Sequence, residues 1–182
     1  MALELGPVGV FYGVTDSEVD MGKTMGGVTV RIVDDSIDLK SDQYGSGAEN
    51  TVITGTTVEV ELSLAEVTLE NIGVALGHPA GGGTPDFVAG ENKTGNMLLA
   101  TAGSLILKKY ALGSSTSNEI DWIHFPAAGM VSNVEMAYDS ENQRVMRITF
   151  KCFPATVSAN WGTATPIEKI VTYWFGDNSV TS

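Results

Sequence analysis

The chain has 182 residues, 43% of them hydrophobic and 18% charged, which is a globular composition able to fill one domain with a core. The net charge of −12 is concentrated in residues 1–70, which hold 13 Asp/Glu against 3 Lys/Arg, and this excludes the clustered cations of a nucleic-acid-gripping surface. No apolar run is long enough to cross a bilayer, the first residues lack a signal-peptide pattern, and the single cysteine, Cys152, has no internal partner, so folding in a reducing cytoplasm is expected.

In chain order, residues 1–26 read as an N-terminal arm. Its stretch Gly6-Pro7-Val8-Gly9-Val10-Phe11-Tyr12-Gly13 reads as irregular, glycine-punctuated chain that carries exposed apolar residues. Gly22-Lys23-Thr24 resembles the end of a phosphate-binding loop, but position 17 is Ser rather than Gly, and a strand rather than a helix is expected next. Residues 27–33 predict that strand, running through Asp34-Asp35 into the alternating residues 36–40. Residues 56–62 alternate cleanly, with Val58, Val60 and Leu62 on one face and Thr57, Glu59 and Glu61 on the other. A short helix follows, N-capped by Thr68 or by a Ser63/Glu66 capping box, with Leu69, Ile72 and Leu76 on one side and Gly77 as its stop.

Residues 78–96 are glycine-rich and predict a long loop. Further strands are expected at 104–112, 119–125, 130–138, 143–153 and 170–175, with a four-residue turn at 139–142. In the strand of 143–153, Met146, Ile148, Phe150 and Cys152 form the apolar face. No repeat or linker divides the chain. The expectation is a mainly β domain over residues 1–182, a β-sandwich or barrel-like sheet pair with one flanking α-helix, long loop excursions and a C-terminal segment at 155–182.

Residue types that carry chemistry are present without the spacing that chemistry needs. His78 and His124 are too few for a zinc site, and His124 alternates with Trp122 and Ile120 as a packed histidine would. Cys152 lies in an apolar run and reads as a buried thiol rather than a nucleophile. Glu59 and Glu61 share the wet face of one strand, which displays them instead of converging them on a substrate. No catalytic residue, cofactor or metal site is expected, and the chain reads as non-enzymatic.

Four stretches carry a resemblance to a known family. They are Gly27-Val28-Thr29-Val30 leading into a long acidic strand or hairpin through Asp42, and residues 54–62 running into Thr68-Leu69-Glu70-Asn71. The others are Ile123-His124-Phe125-Pro126-Ala127-Ala128 ahead of a strand, and Thr149-Phe150-Lys151-Cys152-Phe153-Pro154-Ala155. In this order they resemble the major tail tube protein family of long-tailed bacteriophages, whose fold is shared with contractile-tail and secretion-system tubes. The resemblance implies a virion protein made in the bacterial host cytoplasm, with hexameric rings stacked into a tube. Its partners would be other copies of itself and tail proteins such as the tape measure and terminator, with no membrane insertion. DNA would pass through the lumen without specific binding.

On that resemblance Asp34, Asp35, Asp38, Asp42, Glu59 and Glu61 are expected to line the lumen, where negative charge would keep a polyanion from sticking. Phe11, Tyr12, Phe87 and Val88 are expected at contacts between rings. Alternative readings are another virion ring component (tail terminator, baseplate or decoration protein) and a carbohydrate-binding β-sandwich using Trp122, Trp161 and Trp174.

Overall fold

The computed structural model describes residues 7–14, 17–40, 47–76, 95, 97–111, 114–115, 122–131, 145–159 and 167–176. Strands form where apolar residues alternate. In β4 (Asn50–Leu64), Val58, Val60, Leu62 and Leu64 turn inward, and in β8 (Met146–Cys152) Met146, Ile148, Phe150 and Cys152 do the same. The two strands pair antiparallel with Val60 opposite Phe150 and Leu62 opposite Ile148, so large apolar side chains meet across the ladder.

Around this pair the remaining strands are β1 (Val8–Val14), β2 (Ser17–Asp20), β3 (Thr24–Leu39), β5 (Gly103–Ala111), β6 (Ser114–Ser115), β7 (Ile123–Val131) and β11 (Trp174–Phe175). They join one antiparallel sheet in the order β2-β1-β5-β7-β8-β4-β3, with β11 beside β7 and β6 beside β5. A twisted sheet this wide curls. Cα atoms of β1 come within 8 Å of β3 without pairing, and the Met21 amide donates to the Val10 carbonyl at 2.9 Å where the chain crosses towards β3. The fold is thus mainly β and barrel-like, wrapped around a core that includes Val10, Leu62, Leu105, Phe125, Met130 and Phe150. The principal strands belong to one curled sheet. Outside it, β9 (Ala155–Ala159) and β10 (Ile167–Val171) pair as a separate hairpin, and Val157 and Val171 pack with Trp174.

Three elements differ from the sequence expectation. The stretch expected as an irregular arm is regular strand over Val8–Val14, because Val8, Val10 and Tyr12 alternate into the core opposite β5. Residues 123–131 form one strand through Pro126, where a break was expected. Leu105 faces Phe125 and Gly103 faces Ala128, so β7 holds one extra residue there, and a bulge needs no amide from proline. Residues 170–175 are divided between β10 and β11. The turn at 139–142 lies outside the described residues.

The helix α1 (Leu69–Ala75) starts at Thr68, whose Oγ1 accepts from the Asn71 amide at 3.1 Å, while Ser63 is a strand residue of β4. Val74 and Ala75 close one end of the core. Asn71 is buried beside them, and its Nδ2 donates to the carbonyls of Met21 at 3.0 Å and Glu66 at 2.9 Å. A one-turn 3-10 helix, Leu98–Thr101, rests on β7 where Gly129 permits it, since a Cβ on Gly129 would stand 2.6 Å from Leu98 Cγ.

Cys152 packs in the core, and burial pushes its thiol up to about 12 from an ordinary 9.0. An unfolded thiol ionises above about pH 8.5 while the folded one keeps its proton. The stabilisation is therefore complete below that pH and falls by about 1.4 kcal/mol per pH unit as pH rises towards the folded value. The urea midpoint of the wild type should fall more steeply than that of Cys152→Ala between about pH 9 and 10. Parallel slopes would contradict the buried position.

Candidate assembly surface

β8 accompanies β4 only from Val58 to Leu64. Beyond Val58, β4 has β3 as its partner, so residues 33–39 and 50–57 form a two-stranded ribbon that leaves the core. Every β3 residue from Arg31 to Leu39 is exposed. A two-stranded ribbon alone is marginally stable in water. β3 is also the last strand of the sheet, so its far edge is a long row of backbone groups with no neighbouring strand among the described residues.

Pairing register assigns each side chain to a face. Val28, Val30, Ile32, Asp34, Ser36 and Asp38 continue the core side of the sheet, and the last three lie opposite Thr56, Ile53 and Thr51. Thr29, Arg31, Val33, Asp35, Ile37 and Leu39 point the other way, opposite Glu61, Glu59, Thr57, Gly55, Val52 and Asn50. Thr54 is the extra residue of a bulge between these sets, and its Oγ1 donates to the Asp35 carbonyl at 3.1 Å. The apolar side therefore changes along the hairpin. Near the domain Val28 and Val30 are apolar on the core side; in the ribbon Val33, Ile37, Leu39 and Val52 are apolar on the opposite side.

Apart from Ile53, the ribbon's core-side face is polar and cross-linked. Thr56 Oγ1 donates to Asp34 Oδ1 at 2.7 Å, and Thr51 Oγ1 donates to Asp38 Oδ1 at 2.8 Å. Each carboxylate thus accepts a hydroxyl from the partner strand while remaining in water.

The six acids expected on one lumen wall do not share a face. Asp34 and Asp38 lie on one side, Asp35, Glu59 and Glu61 on the other, and Asp42 lies outside the described residues. Strand alternation is the reason: neighbours such as Asp34 and Asp35 must point oppositely. Nor is the second side acidic. Glu59 lies directly between Arg31 and Lys151 in the ladder, and Arg147 is exposed on the same face opposite Ser63. Asp35, Glu59 and Glu61 are balanced by Arg31, Arg147 and Lys151. The charge asymmetry of the sequence conceals this because β8, far away in sequence, supplies two of the cations.

Tyr12, expected at a contact between rings, is a core residue at 3% exposure. Its hydroxyl donates to the Ala128 carbonyl at 3.1 Å, its ring centroid is 4.9 Å from that of Phe150, and burial pushes its phenol up. Phe11, on the other face of β1, is half-buried with the Lys108 ammonium 4.1 Å from its ring centroid, and the same ammonium is 4.1 Å from the Trp122 ring. Phe87 and Val88, with nearly all of the 78–96 loop, lie outside the described residues.

The tryptophans expected to offer stacking faces are engaged. Trp174 is buried and stacks on His124 with centroids 4.9 Å apart and rings 4° from parallel, and Trp122 lies 5.9 Å from His124. Trp161 lies outside the described residues. Among the described residues no group of three or more His, Cys, Asp or Glu is placed to share a metal ion. No family model and no curated protein matches the chain.

Proposed function

We infer that this chain is a structural subunit of a bacteriophage tail tube, with six copies closing into a ring and rings stacking into a conduit for DNA. The observation that carries this reading is the β3–β4 ribbon: a long two-stranded excursion, wet on both faces and mostly apolar on one, ending a sheet whose edge strand has no neighbour among the described residues. Such a ribbon is completed by another polypeptide, as assembly into rings requires. The mainly β, barrel-like domain with one capped helix is the fold class that the four resembling stretches imply.

The charge pattern suits a passage for DNA. At physiological salt the screening length is about 8 Å, so only charges on the wall act on a passing duplex. The outward face of β3, β4 and β8 carries no net positive charge, and Asp34 and Asp38 add negative charge on the ribbon's other side. Neither surface can hold DNA by counterion release. The implied partners are copies of this chain, with the tape measure and terminator at the ends of the tube, in a virion assembled in the bacterial host.

Negative-stain micrographs of the purified chain are the test. Open-ended tubes with a stain-filled channel are expected, and short duplex DNA should not bind the chain at low salt. Single closed rings would point instead to a terminator or baseplate ring. Unassembled particles at every concentration would contradict the reading.

A further inference from the structure

The ribbon's two faces differ in chemistry as well as direction. One presents Val33, Ile37, Leu39 and Val52 with Asp35 among them and the row Arg31, Glu59 and Lys151 at its base, which together are formally neutral, and it is largely apolar. The other presents Asp34, Ser36, Asp38, Thr51 and Thr56 around Ile53, with Ile32 at its base. A ribbon made to extend its own core would keep its apolar residues in phase with Val28 and Val30, whereas here Val33, Ile37, Leu39 and Val52 take the opposite phase and only Ile32 and Ile53 keep it. A chain of net charge −12 approaching a copy of itself is repelled wherever acids would be buried together, so the neutral face is the one a like-charged copy can accept. The same chain displays matching chemistry elsewhere, with Met97, Leu99 and Val131 exposed around the 3-10 helix and the end of β7. Contact between two different patches of one chain is heterologous, and such contacts propagate into rings or filaments.

We propose that the Val33–Ile37–Leu39–Val52 side of the ribbon is a seam buried against a second copy of this chain, while the Asp34 and Asp38 side stays in water. The proposal rests on the self-assembly in the functional reading and is independent of the cargo. It assigns the two sets of ribbon acids different fates, where the sequence suggests one common wall.

Val52 and Ile53 are neighbours on opposite faces, 44% and 63% exposed, so one kind of substitution probes both sides. Sedimentation velocity of wild type, Val52→Asp and Ile53→Asp should show Ile53→Asp assembling like wild type. Val52→Asp should associate at least about tenfold more weakly, since a buried unpaired carboxylate opposes contact. Circular dichroism and urea midpoints should stay at wild-type values because both positions are exposed. Ile37→Ser, which removes apolar area without adding charge, should weaken association in the same direction. Tubes that persist in Val52→Asp, or equal disruption by Ile53→Asp, overturn the seam and leave the tail-tube reading standing. Discrete dimers without tubes that dissociate on Val52→Asp support the seam and contradict the tube. A wild type that stays monomeric at every concentration overturns both.

Discussion

Phe150→Ala is expected to lower the unfolding free energy by about 3–5 kcal/mol, the range for emptying a large aromatic site in a packed core. The ring is fully buried, with Val60 opposite it on β4, Met130 opposite it on β7 and Tyr12 at 4.9 Å. Both neighbouring strands lose their contact at once, so the cavity has no single wall that can collapse into it. Domains are commonly stable by about 5–15 kcal/mol, so a loss of this size removes a large fraction of the total. Thr149→Ala, one residue earlier on the outer face, should change stability by about 0.5 kcal/mol or less. Urea unfolding of the three proteins at neutral pH checks the contrast. A Phe150→Ala loss under about 1 kcal/mol would contradict its place at the centre of the core.

Asn71→Ala is expected to cost about 2–3 kcal/mol, which is large for a polar residue on a two-turn helix. Its Nδ2 serves two carbonyls, Met21 and Glu66, that belong to the crossing into β3 and to the segment entering the helix. Removing it leaves the Met21 carbonyl short of a donor in a buried place and the Glu66 carbonyl in a part-buried one, and it unpins α1 from the sheet's corner. Thr68→Ala deletes the cap of the same helix, yet Thr68 is exposed, so about 1 kcal/mol is expected there. The order of the two losses in thermal or urea unfolding is the check. A cap variant that costs more than Asn71→Ala would show that the side-chain clamp does not hold this corner.

The parts of this fold legible in the sequence are those governed by local periodicity. Residues 56–62 and 143–153 alternate because one sheet face is dry, and the structure buries Val58, Val60, Leu62, Met146, Ile148, Phe150 and Cys152 as that pattern requires. Thr68 is readable as a cap because its chemistry is confined to a few residues. Illegible parts depend on partners distant in the chain. Tyr12 sits among glycines and looks like loop; only pairing of Val8–Val14 with β5 makes it core. Asn71 breaks no apolar pattern, and its value becomes visible only when Met21 arrives beside it. The face change in the hairpin does leave a trace. Ile32-Val33 and Asp34-Asp35 are doubled where single alternation would hold, which is the mark of a phase slip. The acidic residues expected on one wall are separated by strand alternation itself, which sends Asp34 and Asp38 to one side and Asp35, Glu59 and Glu61 to the other.

The proposed assembly requires that the distal hairpin, whose edge strand has no neighbour among the described residues, be completed by another copy of the chain. Hydrogen–deuterium exchange of the dilute protein and of its concentrated form measures this directly. Amides of residues 33–39 should exchange fast in dilute solution, since the ribbon's hydrogen bonds are open to water on both faces, and should slow markedly on concentration while core strands such as β8 stay unchanged. Identical exchange of the ribbon in both samples would contradict the account.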